Sequence, residues 1–78
     1  MTRLPELKTA KVIRALNRLG FHELRHRGGH AIYRHEDGRW MTVPIHPAKG
    51  IDPDLLADIL KQIKVTPEEF LNAIRKRG

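Results

Sequence analysis

Two glycine-containing breaks divide residues 21–45 into three short segments in which apolar and polar residues tend to alternate. The first break is Gly28-Gly29 and the second is Asp37-Gly38, a dipeptide typical of a two-residue β-hairpin turn. Strands joined by connections this short must pair as antiparallel neighbours, because parallel strands need a crossover of a dozen or more residues. The pattern therefore predicts a three-stranded antiparallel meander with strands at 21–27, 30–34 and 39–45.

The alternation also predicts which side chains face the core, since successive residues of a strand point to opposite faces of the sheet. The first segment is less regular, because Phe21 and Leu24 do not fall on alternating positions, and its register or a bulge within it stays open. The expected core face of the other two strands carries Ala31, Tyr33, Met41, Val43 and Ile45, and the opposite face carries His30, Ile32, Arg34, Trp40 and Thr42.

Three segments with helical spacing of apolar residues flank the predicted strands. The first covers residues 10–19, with Thr9 as its expected capping residue and Gly20 as the residue that ends it. The second follows Asp52 as its cap, and the third begins at a capping box formed by Thr66 and Glu69. The expected buried stripes are Leu55, Leu56, Ile59, Leu60 and Ile63 on the second helix and Phe70, Leu71 and Ile74 on the third.

The 78 residues of the chain suffice for one domain, which we expect to span residues 1–78. The predicted fold is α+β, with a three-stranded antiparallel sheet packed by helices and the order α-β-β-β-α followed by a short additional C-terminal helix. Helices on one face of such a sheet leave the other face open to solvent or to a partner. A core this small has no room for a deep cavity, so we expect a shallow site at the surface.

The chain has no cysteine, which rules out disulfides and thiolate metal sites and fits a reducing cytoplasm. No apolar run approaches the about 20 residues that a membrane-spanning helix needs. The first residues show no apolar secretory-signal region. We therefore expect a cytoplasmic protein that does not associate with a membrane.

The positive charge of the chain is concentrated in its first half. Residues 1–35 carry eight Lys and Arg against two Glu, whereas residues 36–78 carry seven Lys and Arg against seven Asp and Glu. The formal net charge of +6 therefore arises entirely around the Gly28-Gly29 break. A basic patch of this kind favours a polyanionic partner, most simply a nucleic acid, over a generic solubilising surface.

Five histidines raise the question of a metal site. On a regular strand His22 and His26 would share a face but lie roughly 13 Å apart, at about 3.3 Å per residue, which is too far for one ion. The chain offers no cysteine ligand, and no carboxylate lies at a recognised ligand spacing from these residues. We therefore expect no metal site, and we interpret His22, His26 and His35 as separate surface residues.

His30 differs from the other histidines because it directly follows Gly28 and Gly29. Consecutive backbone N–H groups in such a turn can form an anion-binding nest, and Arg25, Arg27 and Arg34 lie close by in sequence. An imidazole beside a bound phosphate suits RNA cleavage, because its unperturbed pKa of about 6.5 lets it accept the proton of the attacking 2′-hydroxyl. The alternative is a solvated turn histidine without a function.

Other residues also leave two interpretations open. His46 follows the third strand and is either a second acid/base group or a hydrogen-bonding residue of the "HPAKG" loop. Trp40 and Tyr33 either stack on bases or pack across the hairpin, and packing is the more frequent use of such residues.

The order of three motifs resembles the HicA family, the toxin components of HicAB toxin–antitoxin systems. The segment "LPELKTAKVIRALNRLGF" is similar to the family's opening helix, and "LRHRGGHAIYRH" is similar to the arginine-rich segment that carries the family's Gly-Ser-His. The segment "TVPIHPAKGIDPDLLADILKQIKVTPEEFL" resembles its Val-Pro-x-His followed by two helices. Together these segments cover nearly the whole chain.

The resemblance implies a double-stranded-RNA-binding-like fold and an mRNA interferase that cuts RNA without a metal, a cofactor or the ribosome. It also implies a HicB-type antitoxin that covers the active surface. The family's catalytic histidine falls on His30 and its motif glycine on Gly28. The family usually has serine where this chain has Gly29, so a hydroxyl contact, about 0.5–1.5 kcal/mol for a neutral hydrogen bond, is absent.

The leading hypothesis from the sequence is a metal-independent endoribonuclease toxin with His30 as its acid/base. A catalytically weak or inactive RNA- or DNA-binding module would use the same basic patch, and a domain that docks an acidic protein would need only the open sheet face. The residues expected to bind RNA are Arg25, Arg27, Gly28, Gly29 and Arg34, extended along the first helix by Lys11, Arg14 and Arg18.

Overall fold

The computed structural model of the protein describes residues 4–45 and 50–75. Within these residues the predicted α+β fold and the order of its three main strands and three helices are confirmed. In chain order the elements are β1 (Leu7–Lys8), α1 (Thr9–Arg18), β2 (Phe21–Arg27), β3 (His30–His35), β4 (Trp40–Pro44), β5 (Gly50–Ile51), α2 (Pro53–Gln62) and α3 (Pro67–Arg75).

The main sheet has the order β2-β3-β4, with both pairs antiparallel. Pro44 ends β4, which is an edge strand, a position where a residue without an N–H is tolerated. A second sheet of two short strands pairs Leu7 with Ile51 and Lys8 with Gly50. The sequence did not predict this pair, because two-residue strands are too short to show an alternating pattern.

The cap predicted for α1 is wrong. Lys8 occupies the N-cap position and makes no side-chain capping bond, while Thr9 is the first helical residue and is only 6% exposed. Thr9 lies three residues before Val12 and seven before Leu16, so it belongs to the buried face of the helix. At the other end the prediction is confirmed, because Gly20 has a φ of +95° just beyond the C-cap Leu19.

The starts of α2 and α3 are confirmed. The Asp52 side chain accepts a hydrogen bond of 3.1 Å from the Asp54 N–H, and Pro53 begins α2. At α3 the Thr66 N–H donates to Glu69 Oε1 over 3.0 Å and the Glu69 N–H donates to Thr66 Oγ1 over 3.1 Å, which makes the predicted capping box. Leu55 is 41% exposed and was wrongly placed in the stripe, because α2 buries only a narrower face.

The core lies between one face of the β2-β3-β4 sheet and the helices. Ala31, Tyr33, Met41 and Val43 are buried on that face, as the alternation predicted, and pack in one cluster with apolar residues of all three helices. On the opposite face His30, Arg34, Trp40 and Thr42 are exposed and Ile32 is half-buried. We call this second surface the open face. No helix in the described part of the chain is long and apolar enough to cross a membrane.

The β3–β4 connection has three residues, not the two that Asp37-Gly38 predicted. The His35 N–H donates to the Arg39 carbonyl over 2.8 Å, so the loop consists of residues 36–38, and the Gly38 N–H donates to the His35 carbonyl over 2.9 Å. Gly38 has a φ of +102°. A tight turn followed by one glycine of positive φ is the usual build of a three-residue hairpin loop.

Candidate nucleic-acid interface

A β-bulge in β2 decides which of its side chains reach the open face. Glu23 pairs with Tyr33 and Arg25 pairs with Ile32, so Leu24 is an extra residue without a cross-strand partner. In a regular strand Arg25 would share a face with the buried Phe21, because residues two apart point the same way. The bulge instead places Arg25 and Arg27 on the open face, while Phe21 and Glu23 stay on the helix-covered face.

Cross-strand pairing arranges the open face in three rows, since directly paired residues of antiparallel strands share a face. Among the nine residues of these rows there are three arginines and two histidines, and no carboxylate. The charged side chains at these nine paired positions are therefore all of one sign. The rows are His22–Arg34–Trp40, Arg25–Ile32–Thr42 and Arg27–His30–Pro44.

The Gly28-Gly29 turn holds His30 at one end of this face. Gly28 has a φ of +58° and Gly29 has no positive φ. Positive φ at only the first central residue is the pattern of a type II′ hairpin turn. The Ile45 N–H donates to the Gly29 carbonyl over 2.7 Å and so ties the end of β4 to the turn. His30 itself is exposed.

A shallow depression of about 320 Å³ surrounds the His30 side chain on the open face. Its floor combines the half-buried Ile32 with Thr42, and its charged lining comes from β2. The structure thus brings together the predicted catalytic histidine and two of its predicted phosphate-binding arginines. The lining residues are Arg25, Arg27, His30, Ile32 and Thr42.

His26 lies on the helix-covered face, opposite to His30, and contacts the Gly28-Gly29 turn from that side. Its Nε2 donates to the Gly28 carbonyl over 3.2 Å, and its Nδ1 lies 3.9 Å from Glu23 Oε1. The parity that the sequence assigned to His22 and His26 is wrong, because the bulge falls between them and puts them on opposite faces. Among the described residues no three His, Asp or Glu side chains lie close enough to hold a metal ion.

His35 is a packing residue rather than the surface residue that the sequence suggested. Its ring meets the Phe21 ring edge-on at 5.0 Å between centroids, and its side chain is only 20% exposed. Its Nδ1 accepts a hydrogen bond from the Asp37 N–H over 3.1 Å. A Cβ added at Gly20 would come within 2.7 Å of His35 Nε2, so glycine at position 20 also makes room for this ring.

Arg39 is a structural residue that the sequence analysis missed. Its Nε donates to Asp37 Oδ2 over 2.8 Å, one terminal nitrogen donates to the Ile63 carbonyl over 2.6 Å, and its guanidinium lies 5.1 Å from the centre of the Phe21 ring. The Arg39 backbone N–H, followed by its side chain, lowers the pKa of the Asp37 carboxyl. Arg39 therefore joins the β3–β4 hairpin to the end of α2, a long-range contact that no local pattern reveals.

The cations of α1 are separated from His30 by the sheet. Lys11 and Arg14 are exposed on a helix that packs against the covered face. Arg18 donates from one terminal nitrogen to the carbonyls of Ala73, over 2.7 Å, and Ile74, over 3.1 Å, near the C-terminus of α3. The predicted secondary residue His46 lies outside the described residues.

The two aromatic residues of the hairpin have different environments. Tyr33 is buried, as the packing interpretation predicted, and burial followed by the charge of Glu23 raises the pKa of its phenol. Trp40 is 52% exposed on the open face, opposite Arg34. Its backbone carbonyl accepts a hydrogen bond of 3.2 Å from Gln62 Nε2, which connects that end of β4 to α2.

Comparison with models of protein families shows what the chain is similar to. Residues 9–65, which include α1, the whole main sheet and α2, match the family model described as the HicA toxin of bacterial toxin–antitoxin systems. A search of curated proteins found no match.

Proposed function

The chain belongs to the HicA toxin family of bacterial toxin–antitoxin systems, and from this premise we propose that it is an mRNA endoribonuclease whose open face binds the substrate. The observation that carries the proposal is the pairing of Arg27 with His30 and of Arg25 with Ile32, which puts both arginines on the same face as His30. A cationic surface beside an exposed imidazole has the two properties that phosphodiester cleavage requires, charge stabilisation and proton transfer.

In the proposed reaction His30 acts as the general base. Its neutral imidazole takes the proton of a ribose 2′-hydroxyl, and the 2′-oxygen attacks the adjacent phosphorus. The bond between phosphorus and the 5′-oxygen breaks, which leaves a 2′,3′-cyclic phosphate on one strand and a 5′-hydroxyl on the other. The leaving oxygen takes its proton from water or from a second acid, for which His46 is the candidate.

The extra negative charge of the transition state needs nearby donors. Arg25 and Arg27 line the same depression as His30 and are the proposed phosphate ligands, with Arg34 further along β3. The backbone N–H groups of Gly28 and Gly29 are proposed as an additional anion nest. These groups supply the charge stabilisation themselves, so the proposed reaction uses neither a metal ion nor a cofactor. The extension of the RNA track along α1 by Lys11, Arg14 and Arg18 stays a prediction.

We further propose that a HicB-type antitoxin neutralises the protein in the cytoplasm by covering the open face. An antitoxin that sits there would block Arg25, Arg27 and His30 together. Acidic side chains on that partner would match the single sign of charge at the paired positions of the open face.

The direct test compares wild-type protein with His30→Ala, in cells and with purified RNA in the presence of EDTA. We expect wild type to arrest growth and to shorten RNA, and we expect His30→Ala to do neither. His26→Gln is the matched control, because it alters a histidine on the opposite face of the sheet and keeps a donor for the Gly28 carbonyl. Equal toxicity and equal cleavage by His30→Ala would disprove the mechanism.

A catalytically weak RNA-binding module is the second candidate, and Gly29 is the observation that favours it. The family's serine hydroxyl is absent at this position, while the cationic face that would bind RNA is intact. Labelled RNA separates the two functions. Metal-independent shortening supports the nuclease, whereas retention of intact strands by the wild-type protein supports binding alone.

A further inference from the structure

The open face ends in a row from which the proposed cleavage uses only Arg34, as an outlying phosphate ligand, and leaves Trp40 and His22 without a role. In this row Arg34 pairs with His22 on one side and with Trp40 on the other. Trp40 keeps 52% of its surface exposed although hydrogen bonds hold both ends of its strand, from the Gln62 side chain to the Trp40 carbonyl and from the Ile45 N–H to the Gly29 carbonyl. The Trp40 side chain is half exposed to solvent on a strand whose ends are fixed, so a ligand can reach it.

We propose that Trp40 is the stacking surface for a nucleobase and that it makes single-stranded RNA, not duplex RNA, the substrate of the open face. This inference rests on the proposed function. Arg34, its cross-strand neighbour, would hold the phosphate that belongs to the stacked nucleotide. Aromatic side chains that stack on bases beside backbone-binding cations are the usual means by which proteins bind single strands.

The spacing of the rows fits one extended strand that runs from His30 to Trp40. His30 and Arg34 are four positions apart on β3, a length of about 13 Å at 3.3 Å per residue. Between them Ile32 offers an apolar patch in the middle row, with Arg25 on its β2 side. A strand laid along β3 would therefore meet cations at both ends and along one flank, with apolar surface under its bases.

A duplex cannot use this surface in the same way. Its bases are stacked on one another inside the helix, so a flat protein face meets only phosphates and sugars along its sides. Unpaired bases can splay onto the indole ring. The geometry of the open face therefore discriminates between the two forms of RNA through Trp40, whereas the arginines bind phosphates of either form.

An exposed tryptophan also suits a protein interface. The charge of the paired rows favours RNA as the occupant, because their nine positions hold three arginines and two histidines and no carboxylate. The nearest carboxylates are those of Glu23 and Glu36, which line a depression with His22 and Arg34 at one edge of the face. The proposed antitoxin would cover this face with acidic groups of its own, and in its absence an RNA strand brings one phosphate with each nucleotide.

The experiment uses intrinsic fluorescence, because Trp40 is the single tryptophan of the chain. The probes are 2′-O-methyl oligonucleotides, which lack the free 2′-hydroxyl and are not cut. We expect a single strand to quench Trp40, and we expect a blunt duplex of the same sequence and an abasic strand with the same phosphates to quench it much less. Equal quenching by the abasic strand would overturn the proposal.

Variants provide the second measurement. Trp40→Ala is expected to weaken binding of the single strand by about 5- to 150-fold, the range found for loss of one base–aromatic stack. Trp40→Phe should recover most of the affinity, and binding of the abasic strand should hardly change in either variant. Unchanged affinity of Trp40→Ala for the single strand would overturn the subsite and leave Trp40 to a protein partner. If Trp40→Ala does not fold, the quenching of wild-type Trp40 by the single strand, the duplex and the abasic strand tests the proposal alone.

The subsite and the nuclease can fail separately. Single-strand-specific quenching without RNA cleavage would reject the proposed reaction and keep the stacking role of Trp40. Cleavage that depends on His30 but is unaffected by Trp40→Ala, at RNA concentrations below saturation, would reject the subsite and keep the reaction.

Discussion

Arg27 lies directly opposite His30, with only the Gly28-Gly29 turn between them in the chain. The two residues are therefore held on the same face of the sheet by the tightest connection that an antiparallel pair allows. A loop-borne histidine would have to be ordered when substrate binds. Here the hydrogen-bonded pairing of β2 with β3 already directs the His30 and Arg27 side chains to the same face in the free protein.

The first prediction concerns Gly29. Because Gly29 has no positive φ, Gly29→Ser should leave stability within about 0.5 kcal/mol of wild type, as for most surface changes. If the added hydroxyl contacts the substrate phosphate, RNA cleavage should rise by about 2- to 13-fold, the equivalent of one hydrogen bond of 0.5–1.5 kcal/mol. Cleavage rates and urea unfolding measure the two effects.

Gly28→Ser is the matched control for that substitution. Gly28 has a φ of +58°, where a side chain costs about 1–2 kcal/mol. The control should therefore destabilise the hairpin, although the space around Gly28 is open. Equal stability of the two serine variants would contradict the assignment of the turn.

The second prediction concerns the salt dependence of RNA binding. Each phosphate contact to a single strand contributes about 0.7 to the slope of log affinity against log salt. Arg27→Gln should therefore reduce that slope by about 0.7, measured with an uncut 2′-O-methyl oligonucleotide. Lys61→Gln, which removes an exposed charge from α2, should leave the slope unchanged.

The same titration tests the predicted extension along α1. A reduced slope for Lys11→Gln or Arg14→Gln would show that RNA contacts α1 as well as the open face. Wild-type slopes for both variants would confine the RNA to the open face.

The third prediction concerns Arg39. Arg39→Lys keeps the charge but loses the planar group that reaches Asp37, Ile63 and the Phe21 ring together. We expect a loss of about 2 kcal/mol in the free energy of unfolding, typical of a hydrogen bond to a charged group. RNA cleavage per folded molecule should not change, because Arg39 does not lie on the open face. A large loss of cleavage at full stability would show that Arg39 acts in the site instead.

The fourth prediction concerns pH and the capping box. The Thr66 backbone N–H, and then the Thr66 hydroxyl, hold the pKa of the Glu69 carboxyl below its ordinary value of 4.5. A folded pKa below the unfolded one means that the ionised Glu69 stabilises the fold above pH 4.5, and that this stabilisation disappears as the pH falls through the folded value. Glu69→Gln should therefore melt below wild type at pH 7.

The melting difference between wild type and Glu69→Gln should then shrink in acid and vanish below the folded pKa. Glu68→Gln removes the same charge from the same helical turn and serves as the comparison. A difference between wild type and Glu69→Gln that stays constant from pH 7 to pH 3 would show that the capping box does not depend on ionisation.

Periodicity and turn chemistry were enough to predict the sheet, its core face and the helices. Alternation identified Tyr33 and Met41 as core residues, and the Thr66 capping box located the start of α3 from four consecutive residues. These features are local, so the sequence displays them directly. The proximity of His30 to Arg25 and Arg27 along the chain also predicted that the three would meet.

The predictions from the sequence that were wrong or incomplete concern residues whose environment is set by contacts distant in the chain. Thr9 has the chemistry of a capping residue, but the packing of α1 begins at Thr9 and buries it. Arg39 bonds to Ile63, 24 residues away, and no spacing rule covers such a pair. The sequence left a shifted register or a bulge open in β2, and only the pairing to β3 fixes the extra residue at Leu24 and the faces of His22, Arg25 and Arg27.

The extra residue in β2 divides that strand into two halves with independent constraints. The packing of the core restricts which residues can replace Phe21. The ligand of the open face restricts which residues can replace Arg25 and Arg27. Loss of Leu24 in a relative would keep Arg25 opposite Ile32 and preserve the outer surface, but a gain or loss of one residue between Arg25 and the turn would exchange inner and outer side chains. In an alignment of related chains, a gap at Leu24 therefore leaves the same residues on the open face. A gap two residues later, at His26, changes which residues lie on that face.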